Sequence, residues 1–125
     1  MTILVRCSDP RINVFLDSPE TKKELGLENG FALIANTGSI KYFMQQNQMD
    51  DFAKQLDILV PHFKADKIVL LNHTDCGFYK AIGQDKKENY LLDLRNVKAE
   101  LLKIYPELKI DGYLMDTKTG ALNKA

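Results

Sequence analysis

The sequence has no surplus of charge: 17 Lys and Arg balance 17 Asp and Glu, for a formal net charge of zero. A general nucleic-acid binder carries a large basic excess, so that class is disfavoured. A neutral chain also has little self-repulsion to keep it monomeric. Seven Gly and four Pro are too few for a fibrous or disordered chain. Long apolar runs are missing too. Ile68 to Leu71 is typical of the longest, whereas a membrane span needs about 20 residues. The opening Met1-Thr2-Ile3-Leu4-Val5-Arg6 lacks the basic start and apolar stretch of a secretion signal, so the expected address is cytoplasmic, where thiols stay reduced. Soft metal-ligating side chains are scarce as well: Cys7, Cys76, His62 and His73 are all there are. Their scarcity makes the placement of each informative.

What is present is one domain's worth of chain. At 125 residues, 45% of them hydrophobic and 27% charged, residues 1–125 are expected to form a single globular domain around one core. Ile3-Leu4-Val5 reads as a short buried strand, Phe31 to Ala35 as a second and Lys67 to Leu71 as a third. Pro10 suits the first position of a short helix capped by Asp9 or Ser8, with Ile12, Phe15 and Leu16 on its inner face. Met49, Phe52, Ala53, Leu56, Leu59, Val60 and Phe63 recur at spacings of three and four, the period of an amphipathic helix that Pro61 ends or bends. Leu94, Val97, Leu101, Ile104 and Tyr105 mark another, stopped by Pro106. Ile110 to Met115 reads as a last strand before the turn Asp116 to Gly120. Strands alternating with helices indicate an α/β domain with a mainly parallel sheet flanked by helices.

In such a sheet Cys7, after the first strand, and His73 and Cys76, after the third, fall on one edge beyond the strands' carboxyl ends. Two thiolates and one imidazole suit zinc, and three protein ligands leave a coordination position open, as in catalytic rather than structural sites. Asp9 and Arg11 follow Cys7 at spacings of two and four. Asp9 can enter the open position or hold a water there, and Arg11 can keep its carboxylate ionised and oriented. Gly77 has no side chain to crowd the site, and its N–H can meet an oxygen gaining negative charge. Each feature has a plainer alternative. A lone buried Cys is often a small core hydrophobe. Asp9 with Arg11 can be a cap plus a surface ion pair, and Cys7 and Cys76 can be a redox pair. His62 reads as structural or solvated.

Cys7-Ser8-Asp9-Pro10-Arg11 and His73-Thr74-Asp75-Cys76-Gly77 resemble the paired motifs of the beta-class carbonic anhydrases. The resemblance covers nearly the whole chain, including Gly30 to Gly38, Lys67 to Gly77 and Ile110 to Gly120. It is to a short member without the family's N-terminal helical arm. It implies one zinc ion per chain on Cys7, His73 and Cys76, with Asp9 and Arg11 as a catalytic dyad. The implied reaction is reversible hydration of carbon dioxide to bicarbonate and a proton by attack of zinc-bound hydroxide. Carbonyl sulfide or carbon disulfide hydrolysis by the same fold, and a zinc-binding module without chemistry, are the alternatives. The chain departs from the family pattern at Pro10, where a serine is usual, and at Ala35, where an arginine is usual. The resemblance also implies a homodimer or larger homo-oligomer. Phe43, Phe78 and Tyr79 are candidates for burial against a second copy, unless they fill the core.

Overall fold

A computed structural model describes every residue from Met1 to Ala125. Strand β1 (Thr2–Cys7) leads through a 3-10 turn (Pro10–Ile12) into helices α1 (Asn13–Leu16) and α2 (Pro19–Leu25). Then follow β2 (Phe31–Asn36), α3 (Ile40–Gln45), α4 (Met49–His62), β3 (Lys67–His73), α5 (Gly77–Ala81), α6 (Lys87–Ile104), β4 (Lys109–Met115) and β5 (Leu122–Lys124). The sheet order is β2-β1-β3-β4-β5, parallel except for the last pair. The expected α/β architecture with a mainly parallel sheet is therefore present in one domain.

The central strands are apolar at consecutive positions because both faces are covered. Along β1 and β3 the side chains alternate between two cores. Ile3, Val5, Ile68 and Leu70 join Phe43, Phe52, Leu56, Tyr90, Leu94, Val97 and Leu101 from α3, α4 and α6. Leu4, Val69 and Leu71 face the opposite way, onto Ile12, Leu16 and Leu25. The period of two carries straight on to Cys7, which lies on the same face as Ile3 and Val5.

Several elements differ from the sequence expectation. Strands β1 and β3 run longer than their apolar runs, so Cys7 and His73 are the last residues of their strands rather than the first residues beyond them. Pairing supplies the extension: Cys7 is in register with Asn36, and His73 with Met115. Helix α6 starts at Lys87, well before the apolar repeat that marks it. Helix α4 runs one residue past Pro61 before ending. The short α2, α3, α5 and β5 carry too little periodicity to be read in advance. Phe43 and Tyr79 are buried within the domain, so they are not available to a second copy.

The edge strand β2 has one covered side. Ala32 and Ile34 point into the core, while Phe31 and Leu33 lie exposed on the opposite face, which α1 and α2 flank without covering. There they line a shallow groove with Leu16 and Lys22.

Candidate metal centre

Three chain segments meet at the carboxyl edge of the sheet. Cys7 ends β1, His73 ends the neighbouring β3, and Cys76 caps α5 three residues later. All three are buried, and their ligand atoms lie within 4.8 Å of one another. The turn joining His73 to Cys76 is tight. Asp75 within it sits at φ 59°, a left-handed conformation uncommon for residues with a side chain and best tolerated by Asn and Asp.

The surroundings prepare each donor atom. His73 Nδ1 lies 2.8 Å from the Thr74 carbonyl, to which it donates, and 3.3 Å from Thr117 Oγ1. That leaves Nε2 buried with no hydrogen-bond partner, its lone pair free for a cation. The Gly38 N–H donates to Cys7 Sγ at 3.3 Å. Gly38 is at φ 80°, and an added Cβ would lie 2.8 Å from the Phe78 ring, so only glycine brings that N–H to the sulfur. The two thiols are unequal. A hydrogen bond from Cys76 holds the Cys7 thiol down at about 4 against its burial, with further help from His73 and the N–H groups of Gly38 and Asp9. Cys76 is pushed up in turn, first by that bond to Cys7 and then by burial. Burial opposes charge on His73, but Cys7, the Thr74 carbonyl and Asp9 outweigh it and raise the proton affinity of the ring. A dication among these donors replaces the protons they compete for. The donor set, two thiols and one free imidazole nitrogen in a buried cluster, fits zinc.

Asp9 and Arg11 stand at the mouth of this cluster. Asp9 Oδ1 accepts the Arg11 N–H at 2.8 Å and so caps the 3-10 turn. Arg11 Nε donates to both carboxylate oxygens, at 3.2 and 3.1 Å, and Nη2 donates to Oδ2 at 2.7 Å. This fork is the main reason that the Asp9 carboxyl lies below its ordinary range. Asp9 Oδ2 is 3.7 Å from His73 Nε2, which puts the carboxylate beside the unpartnered nitrogen. Gly77 opens α5 next to Cys76, and an added Cβ there would meet nothing within 4 Å. His62, at the end of α4, is exposed and packs edge-on against Phe63, as expected of a residue outside the site.

Sequence reasoning missed most of the supporting groups. Arg11 continues from Asp9 to Asp75, with Nη1 donating to Oδ2 at 2.7 Å and Nη2 to the carbonyl at 2.8 Å. Lys80 pairs with the same carboxylate. Arg11 and then Lys80 hold the Asp75 carboxyl down at about 2. Arg6 donates to the carbonyls of Cys7 at 2.7 Å and Asp9 at 2.8 Å, pinning the segment that carries the dyad. A signal for Asp75 was available, since it lies inside the His-x-x-Cys segment. Thr117 and Arg6 offered none, because they reach the site largely through backbone carbonyls.

Metal loading should release protons. The Cys76 proton must leave at any pH near neutrality, and the His73 proton must also leave below its raised pKa. Affinity should therefore rise with pH. Calorimetry in buffers of differing ionisation enthalpy should find about one proton released per ion on the alkaline side, approaching two on the acid side. Loading without proton release would contradict this assignment of protons.

No protein-family model matches the chain. An uncharacterized protein of Rickettsia conorii is 28% identical over 128 residues, covering 91% of this chain; the chain spans 66% of that protein's length. Solved structures show a closer likeness in shape. Carbonic anhydrase from Streptococcus mutans superposes with a TM-score of 0.66 at 21% identity, covering 98% of this chain and 80% of the other. The apo form of a carbon disulfide hydrolase gives 0.62 at 16%, covering 98% and 77%. One of two tetrameric beta-carbonic anhydrases from Sordaria macrospora gives 0.56 at 18%, covering 98% and 79%. The likeness is one of fold: the chain has the beta-carbonic anhydrase fold, with its own cluster of Cys7, His73 and Cys76 at the sheet edge.

Proposed function

We propose that the chain is a zinc-dependent carbonic anhydrase that interconverts carbon dioxide and bicarbonate. The observation that carries this reading is the Asp9 carboxylate, clamped by Arg11 and set 3.7 Å from the free nitrogen of a Cys7–His73–Cys76 cluster. Those three residues would hold one zinc ion. A bound zinc supplies the Lewis acidity that brings the pKa of water near 7. Asp9 accepts a hydrogen bond from the reacting water and leaves a lone pair aimed at the carbon of CO2. The new C–O bond forms as a C=O electron pair moves to oxygen, and the surplus proton passes to buffer. Arg11 keeps Asp9 anionic and fixed in direction. Gly77 leaves room for substrate beside Cys76, and its N–H would meet a substrate oxygen. Two free thiols serving as ligands suit a reducing compartment, the cytoplasm.

Metal analysis of the purified chain should find about one zinc per chain. In stopped flow with a pH indicator, CO2 should acidify the solution in a chelator-sensitive, zinc-restorable way. A second reading, hydrolysis of carbonyl sulfide or carbon disulfide, draws support from the carbon disulfide hydrolase among the structural neighbours. Sulfide release without CO2-driven acidification would favour it. Zinc without either reaction would leave a binding module. Reversible Cys7–Cys76 oxidation with no metal would mean a thiol redox protein.

We also propose a homodimer or larger assembly of this chain, supported by the tetrameric neighbours and by Phe31 and Leu33 on the open face of an edge strand. Leu33→Glu should convert the assembly to monomer in light scattering. A wild-type chain that already scatters as monomer would remove the proposal.

A further inference from the structure

The turn between His73 and Cys76 is held from behind by one residue of α6. Tyr90 is 1% exposed, and its ring centroid lies 4.1 Å from that of Tyr79. Packing alone would be met as well by phenylalanine. The hydroxyl adds two bonds: it accepts the Cys76 N–H at 3.1 Å and donates to Asp85 Oδ1 at 2.6 Å. The Tyr90 backbone carbonyl accepts from Asn72 Nδ2 at 3.2 Å. Asn72 is the residue before His73 on β3. Tyr90 is thus fastened by its backbone to the strand that delivers one ligand and by its side chain to the turn that delivers another.

The helix bearing Tyr90 is itself anchored. Lys41 Nζ lies 2.9 Å from Asp93 Oδ2 in a buried ion pair, and the Tyr79 hydroxyl donates to the same oxygen at 2.8 Å. Asp93 is one turn beyond Tyr90, so α6 cannot slide past α3 without breaking that pair. The left-handed Asp75 gives the turn a conformation that is less populated than helix or strand. Such conformations persist where neighbouring contacts over-determine them. Arg11 and Lys80 hold Asp75 from the solvent side, and Tyr90 holds Cys76 from the core.

We propose that Tyr90 is a positioning residue that sets the spacing of His73 and Cys76 for one ion, with Asp85 orienting its hydroxyl. This rests on the metal reading above. The probe is Co2+, whose d–d and thiolate charge-transfer bands report ligand geometry directly. Tyr90→Phe keeps the ring and removes both hydroxyl bonds. It should weaken Co2+ binding roughly 10- to 100-fold, the usual effect of losing a support behind a ligand, and should shift the bands. Asp85→Ala, at an exposed position the fold tolerates, should move affinity and bands in the same direction by less. Asp85→Asn, which still offers an oxygen to the hydroxyl, should restore both. Tyr105→Phe breaks another Tyr–Asp pair, with Asp57, at the far end of α6, and should leave the cobalt spectrum unchanged. If the wild type binds one cobalt and both Tyr90→Phe and Asp85→Ala match it in affinity and spectrum, the brace is overturned while the metal site stands. If the wild type binds no cobalt, both fall. Should Tyr90→Phe fail to fold, Asp85→Ala decides alone.

Discussion

Cys76→Ser should abolish stoichiometric zinc and, with it, CO2 hydration. A serine hydroxyl stays protonated near neutrality, so one of three protein ligands is lost outright. Four-ligand structural zinc sites bind their ion by about 10–16 kcal/mol. A quarter to a third of that is about 2.5–5 kcal/mol, a loss on the order of 100-fold in affinity or more. With only three ligands to begin with, the remaining pair should not retain zinc through purification. Cys7→Ser should do the same, because it too removes a thiolate from the cluster. Serine at a 2% exposed position also buries a hydroxyl, so some stability is lost independently of the metal. Wild-type protein stripped with a chelator separates the two effects, because it loses the ion and keeps the thiols. Full zinc occupancy in Cys76→Ser would remove that residue from the ligand set.

Asp9→Asn should keep its zinc and lose catalysis. Asparagine retains an oxygen where Asp9 Oδ1 accepts the Arg11 N–H, so the cap and the local chain path survive. What disappears is the anion held by Arg11 beside the His73 nitrogen. Positioned proton acceptors typically contribute 100- to 10,000-fold, and a loss of roughly 100-fold or more in kcat is expected. The pH profile supplies a second check. Arg11 keeps the Asp9 carboxyl below its ordinary range, so Asp9 is already anionic throughout the neutral region. A folded-state pKa that is lowered keeps the charged form present above the ordinary carboxylate range and loses it only towards acid. The neutral limb of the wild-type profile should therefore not belong to Asp9. A folded, zinc-loaded Asp9→Asn chain with wild-type turnover would end the catalytic assignment.

The parts of the molecule legible in the sequence are those whose cause is local. The runs Ile3 to Val5 and Ile68 to Leu71 announce buried strands because both faces of each are covered. The repeat from Met49 to Val60 announces α4 because Phe52 and Leu56 face one core. Cys7, His73 and Cys76 could be gathered on paper because parallel strands place their carboxyl ends together. The hidden parts depend on long-range partners. Cys7 and His73 belong to strands because Asn36 and Met115 pair with them, which no apolar run records. Thr117 reaches the Thr74 carbonyl from beyond β4 through a hydroxyl, and Tyr90 reaches Cys76 through an N–H. Backbone groups have no letter in the sequence, so supports built on them show only in three dimensions.

The placement of the donors on β1 and β3 has a consequence for biosynthesis. These strands are neighbours in the sheet but are separated in the chain by the 3-10 turn, α1, α2, β2, α3 and α4. A ribosome-bound fragment ending before β3 holds only Cys7 of the three clustered donors. The pocket comes into being only when β3 docks beside β1 and the turn to Cys76 has been made. Ion capture would therefore report that β3 has joined β1, and a captured ion would staple the first strand to the middle of the chain.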